Sequence, residues 1–79
     1  MLFLILIVGM KRSELIELGQ VIKAKRESQN LTQIELAERC EVDRNYIGML
    51  ERGERNPSYL SLLKISNGLK MKVYDLIKP

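Results

Sequence analysis

Residues 30–57 read NLTQIELAERCEVDRNYIGMLERGERNP, and their spacing predicts two short helices joined by a tight turn. Thr32 can accept a hydrogen bond from the first-turn backbone while Glu35, three residues on, reaches back, which is a T-x-x-E capping box. A helix therefore begins near Thr32. Leu36, Ala37 and Cys40 fall on one face, whereas Gln33, Glu35, Glu38 and Arg39 point elsewhere, so this short helix has one buried stripe. The periodicity breaks at Glu41 and Val42. Asp43 then offers an N-cap for a second helix whose apolar positions are Ile47 and Leu50.

Two helices joined by a turn of about three to four residues, the second helix basic and polar, have the sequence form of a helix-turn-helix DNA reader. Working outward, residues 13–28 predict a preceding helix with Leu15, Leu18, Val21 and Ile22 toward the core. Asn30 closes it, since Asn tolerates the left-handed conformation that a helix end often needs. Gly53 ends the second motif helix, and Pro57-Ser58 starts the next with Ser58 as cap. Leu62, Ile65, Ser66 and Leu69 give that helix its buried face, and a terminal segment over residues 73–77 adds Val73 and Leu76 to the core. Leu60, Leu63, Tyr74 and Ile77 are apolar surface beyond what the core uses.

LTQIELAERCEV, YIGMLERGERNPS and LLKISNGL, in this order from about residue 18 to residue 77, resemble the lambda-repressor/Cro-like, or XRE, family of helix-turn-helix domains. DRNYIGMLERGERNPS looks most like the small controller proteins of restriction–modification systems, and phage and mobile-element repressors share much of it. The resemblance implies an all-α fold of five helices over residues 11–79, and the apolar extension over residues 1–10 is a feature that the family does not explain. It implies a homodimer formed through the last helices, with Leu60, Leu63, Tyr74 and Ile77 as the interface candidates. It also implies an internal ion pair between Arg26 and Glu51. The chain departs from the family at Asn30, Glu41 and Lys70, where relatives commonly have glycine.

In a helix-turn-helix the second helix lies in the major groove with its N-terminal residues against base edges, and the first crosses the backbone. Arg44 carries the planar fork that pairs with guanine O6 and N7, and Asn45 can pair with adenine N6 and N7. Tyr46 and Met49, further along, are candidates for thymine-methyl or backbone contact. Gln33, beginning the first motif helix, and Thr32 before it are placed to meet a phosphate. The resemblance adds Arg52, Arg55 and Asn56, in the loop after the reading helix, and Ser58 as further backbone contacts. Such contacts set register without reading sequence.

Seventy-nine residues make one small domain, which buries a modest share of its surface and gains from dimerisation. A net charge of +3 is too mild to argue for nucleic acid by itself, so the placement of Lys23, Lys25, Arg26, Arg44, Arg52 and Arg55 carries more weight. One cysteine excludes an internal disulfide, and the absence of histidine removes both a conventional His/Cys metal cluster and the usual general base. The chain reads as a non-enzymatic, cofactor-free regulator, with a cytoplasmic compartment the simplest reading. Cys40 reads as a small buried hydrophobe. The expected partners are double-stranded DNA, a second copy of the chain and, for an activating controller, RNA polymerase, with no membrane. The alternative is an antitoxin-like or protein-interaction module of the same fold, against which the intact Arg44-Asn45 pair speaks.

Residues 1–8, MLFLILIV, stand apart as an unbroken apolar run before Gly9 and Lys11-Arg12. The run is far short of the roughly 20 residues a spanning helix needs, and it lacks the flanks of a signal peptide. Two readings stay open: a short β-strand that pairs across a dimer or covers a neighbouring subunit, or translation that starts at Met10.

Overall fold

The computed structural model describes residues 10–77. Among them are five helices and no strand: α1 Arg12–Ser28, α2 Gln33–Cys40, α3 Arg44–Glu51, α4 Tyr59–Gly68 and α5 Val73–Leu76. The all-α expectation holds. The proposed N-terminal strand and the boundary at residue 10 fall on or against residues outside those described.

Each of α1 to α4 starts where a side chain or a reaching carboxylate meets the free backbone N–H groups at its start. Thr32 Oγ1 accepts from Glu35 N–H at 3.1 Å while Glu35 Oε1 accepts from Thr32 N–H at 2.8 Å, closing the capping box. These bonds hold the Glu35 carboxyl below its ordinary range. Asp43 Oδ1 accepts from Asn45 N–H at 2.7 Å, and Ser58 Oγ from Ser61 N–H at 3.1 Å. At α1 the Lys11 N–H donates to Glu14 Oε1 at 2.7 Å.

The ends of α1 to α4 share one device. After α1 the N–H of Asn30 returns to Glu27 and that of Leu31 to Arg26, a Schellman pair of bonds. The same pair recurs at Glu41 and Val42, at Gly53 and Glu54, and at Lys70 and Met71. It needs a left-handed residue, and Asn30, Glu41 and Lys70 all have φ 58°, Gly53 φ 74°. Three of the four turns therefore hold a side chain in a conformation that costs an L-residue about 1–2 kcal/mol. Gly53 has a second reason to lack one: a Cβ there would come within 2.9 Å of Ile16 Cγ1 and 3.0 Å of Ile16 Cα on α1.

The core gathers Leu18 and Ile22 of α1, Leu36 of α2, Ile47 and Leu50 of α3, and Leu62, Ile65 and Leu69 from α4 and its end. α3 packs on both α1 and α2, α4 packs on α2, and α5 bridges α4 and α1. α3 is thus held from two sides. Gly19 permits the close crossing of α1 over the end of α3, where a Cβ would overlap the Leu50 and Glu51 carbonyls. Cys40 is buried, and burial pushes its thiol up to about 11, so it is a neutral packing group.

One expectation fails at the C-terminal end. Ile77, assigned to a dimer surface, is buried in the domain's own core, while Val73 is only half-buried. The reason is local: α5 is a single turn, and at Ile77 the backbone leaves helical values (φ −126°, ψ 47°), which breaks the helical register on which the assignment rested.

Candidate nucleic-acid interface

Arg44 and Asn45 are exposed at the first two positions of α3. Beside them an open groove of about 420 Å³ is lined by Gln33 and Ile34 from α2 and by Arg44, Asn45, Gly48 and Arg52 from α3 and its end. Asn45, Gly48 and Arg52 follow i, i+3, i+7 spacing and share one face of the helix. The groove therefore brings together the start of α2, the start of α3 and one cation just past the end of α3.

Other expected residues lie around this groove. Tyr46 is half-buried and packs partly on the core, and the Arg55 guanidinium sits 5.7 Å from its ring centroid. Met49 is half-buried, Thr32, Asn56 and Ser58 are exposed, and the Thr32 and Ser58 hydroxyls serve as caps. Arg52 is bonded to Glu54 on both edges of the carboxylate, Nε to Oε2 at 2.8 Å and Nη2 to Oε1 at 3.2 Å. This pair raises the Arg52 pKa and lowers that of Glu54.

Behind the groove lies the Arg26–Glu51 pair. Arg26 Nε donates to Glu51 Oε2 at 2.6 Å and Nη2 to Oε1 at 3.0 Å, while Nη1 donates to the Leu31 carbonyl at 2.8 Å. The hydrogen bond to Glu51 raises the Arg26 pKa against the opposing effect of burial. Gln33 Nε2 donates to Glu51 Oε1 at 3.0 Å. A buried ion pair thus also anchors a residue of the groove, and Arg26, being buried, is no surface contact.

Two residues of this region were not singled out from sequence. Ile34 is exposed at 47 % and is the apolar member of an otherwise polar groove; its signal was a large hydrophobe off the buried stripe of α2. Tyr59, exposed at 51 %, joins Leu60 at 62 % and Tyr74 at 56 % on the last two helices, with Leu63 half-buried.

Residues 22–76 match the helix-turn-helix family. The chain is a member of the XRE-type helix-turn-helix family. It is 40 % identical over 60 residues to the control protein C.BamHI of Bacillus amyloliquefaciens, covering 75 % of this chain and 74 % of that one. To the immunity repressor protein of Bacillus phage phi105 it is 37 % identical over 59 residues, 75 % of this chain but 41 % of the repressor, so it spans less than half of that relative. Among solved structures, the restriction-modification controller protein C.AhdI from Aeromonas hydrophila superposes with a TM-score of 0.79 at 34 % identity, over 81 % of this chain and 97 % of that chain. The controller C.Esp1396I, solved as a tetramer in complex with its natural 35 base-pair operator, superposes with a TM-score of 0.73 at 33 % identity, over 80 % of this chain and 87 % of that one. In this member of the family Arg44 and Asn45, at the head of α3, are exposed.

Proposed function

We propose that this chain is a homodimeric transcriptional regulator that binds a pseudo-palindromic operator, in the manner of a restriction–modification controller. The observation that carries the reading is the exposed Arg44-Asn45 pair at the head of α3, opening on a groove shared with Gln33. In this reading Arg44 and Asn45 meet base edges, with Met49 and the exposed part of Tyr46 one turn along. Thr32, Gln33, Arg52, Arg55, Asn56 and Ser58 hold the sugar-phosphate chain. Leu60, Leu63 and Tyr74, now with Tyr59 and without Ile77, form the dimer contact, and two-fold symmetry sets the half-sites about one helical turn apart. The protein acts in the cytoplasm without catalysis or cofactor, and as an activator it works beside RNA polymerase. The operator-bound tetramer of C.Esp1396I supports this reading by analogy.

In-vitro selection from random duplex DNA at near-physiological salt tests it. An enriched inverted repeat is the expected result; no enrichment from folded protein would sink it. On the selected operator Arg44→Ala costs about 1–3 kcal/mol and relaxes preference at one base pair, whereas Arg55→Ala weakens all sequences alike and lowers the salt slope by about one. Sedimentation of a Leu60→Glu variant checks the interface, with a shift to monomer expected.

A further inference from the structure

Gly48 sits at the centre of the groove-facing side of α3. A Cβ at this position would stand 3.1 Å from Arg52 Nη1 and 3.6 Å from Gln33 Oε1. The bare backbone is therefore a slot, and the Arg52 guanidinium, one helical turn along, folds back over it. Glu54 holds the other side: it accepts from Nε at 2.8 Å and from Nη2 at 3.2 Å, a two-point grip on one edge of the planar fork. The opposite edge, with Nη1, is left toward Gly48 and the groove. Arg52 is thus aimed as well as charged.

We propose that Gly48 and Glu54 are positioning residues for Arg52, the glycine supplying the slot and the carboxylate turning the guanidinium so that its free edge meets a phosphate of bound duplex DNA. This rests on the DNA-binding reading above. Its consequence runs against simple electrostatics. An acid beside a polyanion ordinarily weakens binding, yet here its removal frees Arg52 to wander and lowers affinity. One carboxylate and one phosphate on opposite edges of a guanidinium use its five donors without competing for them.

Fluorescence anisotropy with random-sequence duplex DNA tests the proposal, because a phosphate contact is felt on every sequence. Glu54→Ala is expected to weaken binding about two- to fivefold, the scale of one exposed ion pair, and to lower the salt slope toward that of Arg52→Ala. Gly48→Ala is expected to do the same while leaving the fold intact, since alanine is the better helix former; a thermal melt checks this. In an Arg52→Ala background neither change weakens binding further, which is the coupling that a double-mutant cycle reads. Unchanged or tighter binding by Glu54→Ala in the Arg52 protein overturns the role of the carboxylate. A Gly48→Ala loss that persists without Arg52 overturns the slot and points to a direct clash with DNA. Wild-type protein that binds no duplex overturns the DNA-binding reading itself, and the positioning role with it.

Discussion

Two arginine–glutamate pairs meet around the end of α3, and their carriers Glu51 and Arg52 are neighbours in the chain. Their geometry is nearly the same: Nε to oxygen at 2.6 Å in Arg26–Glu51 and 2.8 Å in Arg52–Glu54, with a second bond from Nη2 at 3.0 and 3.2 Å. Their surroundings are opposite, with side chains 11 % and 3 % exposed in the first pair and 58 % and 52 % in the second. Surroundings decide what each pair does. The buried pair has lost its water, so each partner is held by the other and by the Leu31 carbonyl and the Gln33 amide. The exposed pair is screened and contributes little to stability, and the guanidinium edge that Glu54 leaves unused is open to solvent.

The largest effect is expected from breaking the buried side. Arg26→Ala leaves the Glu51 carboxylate buried without its cation, a loss of about 3–5 kcal/mol. Against the 5–15 kcal/mol that typically holds a domain together, this is a large share. Denaturant titration is expected to show the midpoint collapse, with DNA affinity falling because little folded protein remains. An unmoved midpoint would place Arg26 among the surface cations and erase the contrast. Gly19→Ala strikes the same junction from the backbone, since a methyl group there forces α1 away from the Leu50 and Glu51 carbonyls. Overpacking of this kind costs about 1–3 kcal/mol, and the same titration measures it.

The helix starts, the apolar stripes and the buried pair were legible in the sequence, because each is written in local spacing or in a pattern shared with the XRE family. Thr32 with Glu35, Asp43 and Ser58 announce their helices whatever the tertiary packing. Ile77 was misread because a single-turn helix gives no periodicity from which to extrapolate a face. The groove around Gly48 was not legible for another reason. Ile34, Gly48 and Arg52 come together through the crossing of α2 and α3, and the Arg52–Glu54 grip depends on the turn at Gly53. Nothing in RGE distinguishes a bonded pair from two solvated charges.

A smaller effect of opposite sign lets the buried side be measured. Glu41→Gly and Lys70→Gly each relieve a left-handed backbone at φ 58°. After the extra freedom of glycine in the unfolded chain is counted, each is expected to stabilise by about 1 kcal/mol. The two sites lie at different helix ends, so their gains are expected to add. Together they provide a background in which Arg26→Ala remains folded enough for its loss to be read. Destabilisation by either glycine would mean that the Glu41 or Lys70 side chain contributes contacts outweighing the strain.

The smallest effect belongs to the exposed side. Arg52→Ala is expected to leave the denaturant midpoint at neutral pH unmoved while lowering the salt slope of DNA binding by about one. Acid sharpens the contrast. The Glu54 carboxyl is held low by its bond to Arg52, and the Glu35 carboxyl by its bonds to Thr32. A carboxyl whose pKa is lower in the folded state binds fewer protons there than in the unfolded chain. Its stabilisation is therefore present above the ordinary value of about 4.3 and fades as pH falls through the lowered one. Arg26 runs the other way: its raised pKa means that its own deprotonation weakens the fold only as pH rises beyond ordinary working conditions. Stability curves in mild acid should accordingly flatten on Glu35→Gln and, more weakly, on Glu54→Gln. Should Glu54→Gln instead lower stability at neutral pH as deeply as Arg26→Ala, the exposed pair would be as structural as the buried one, and surroundings would not separate them.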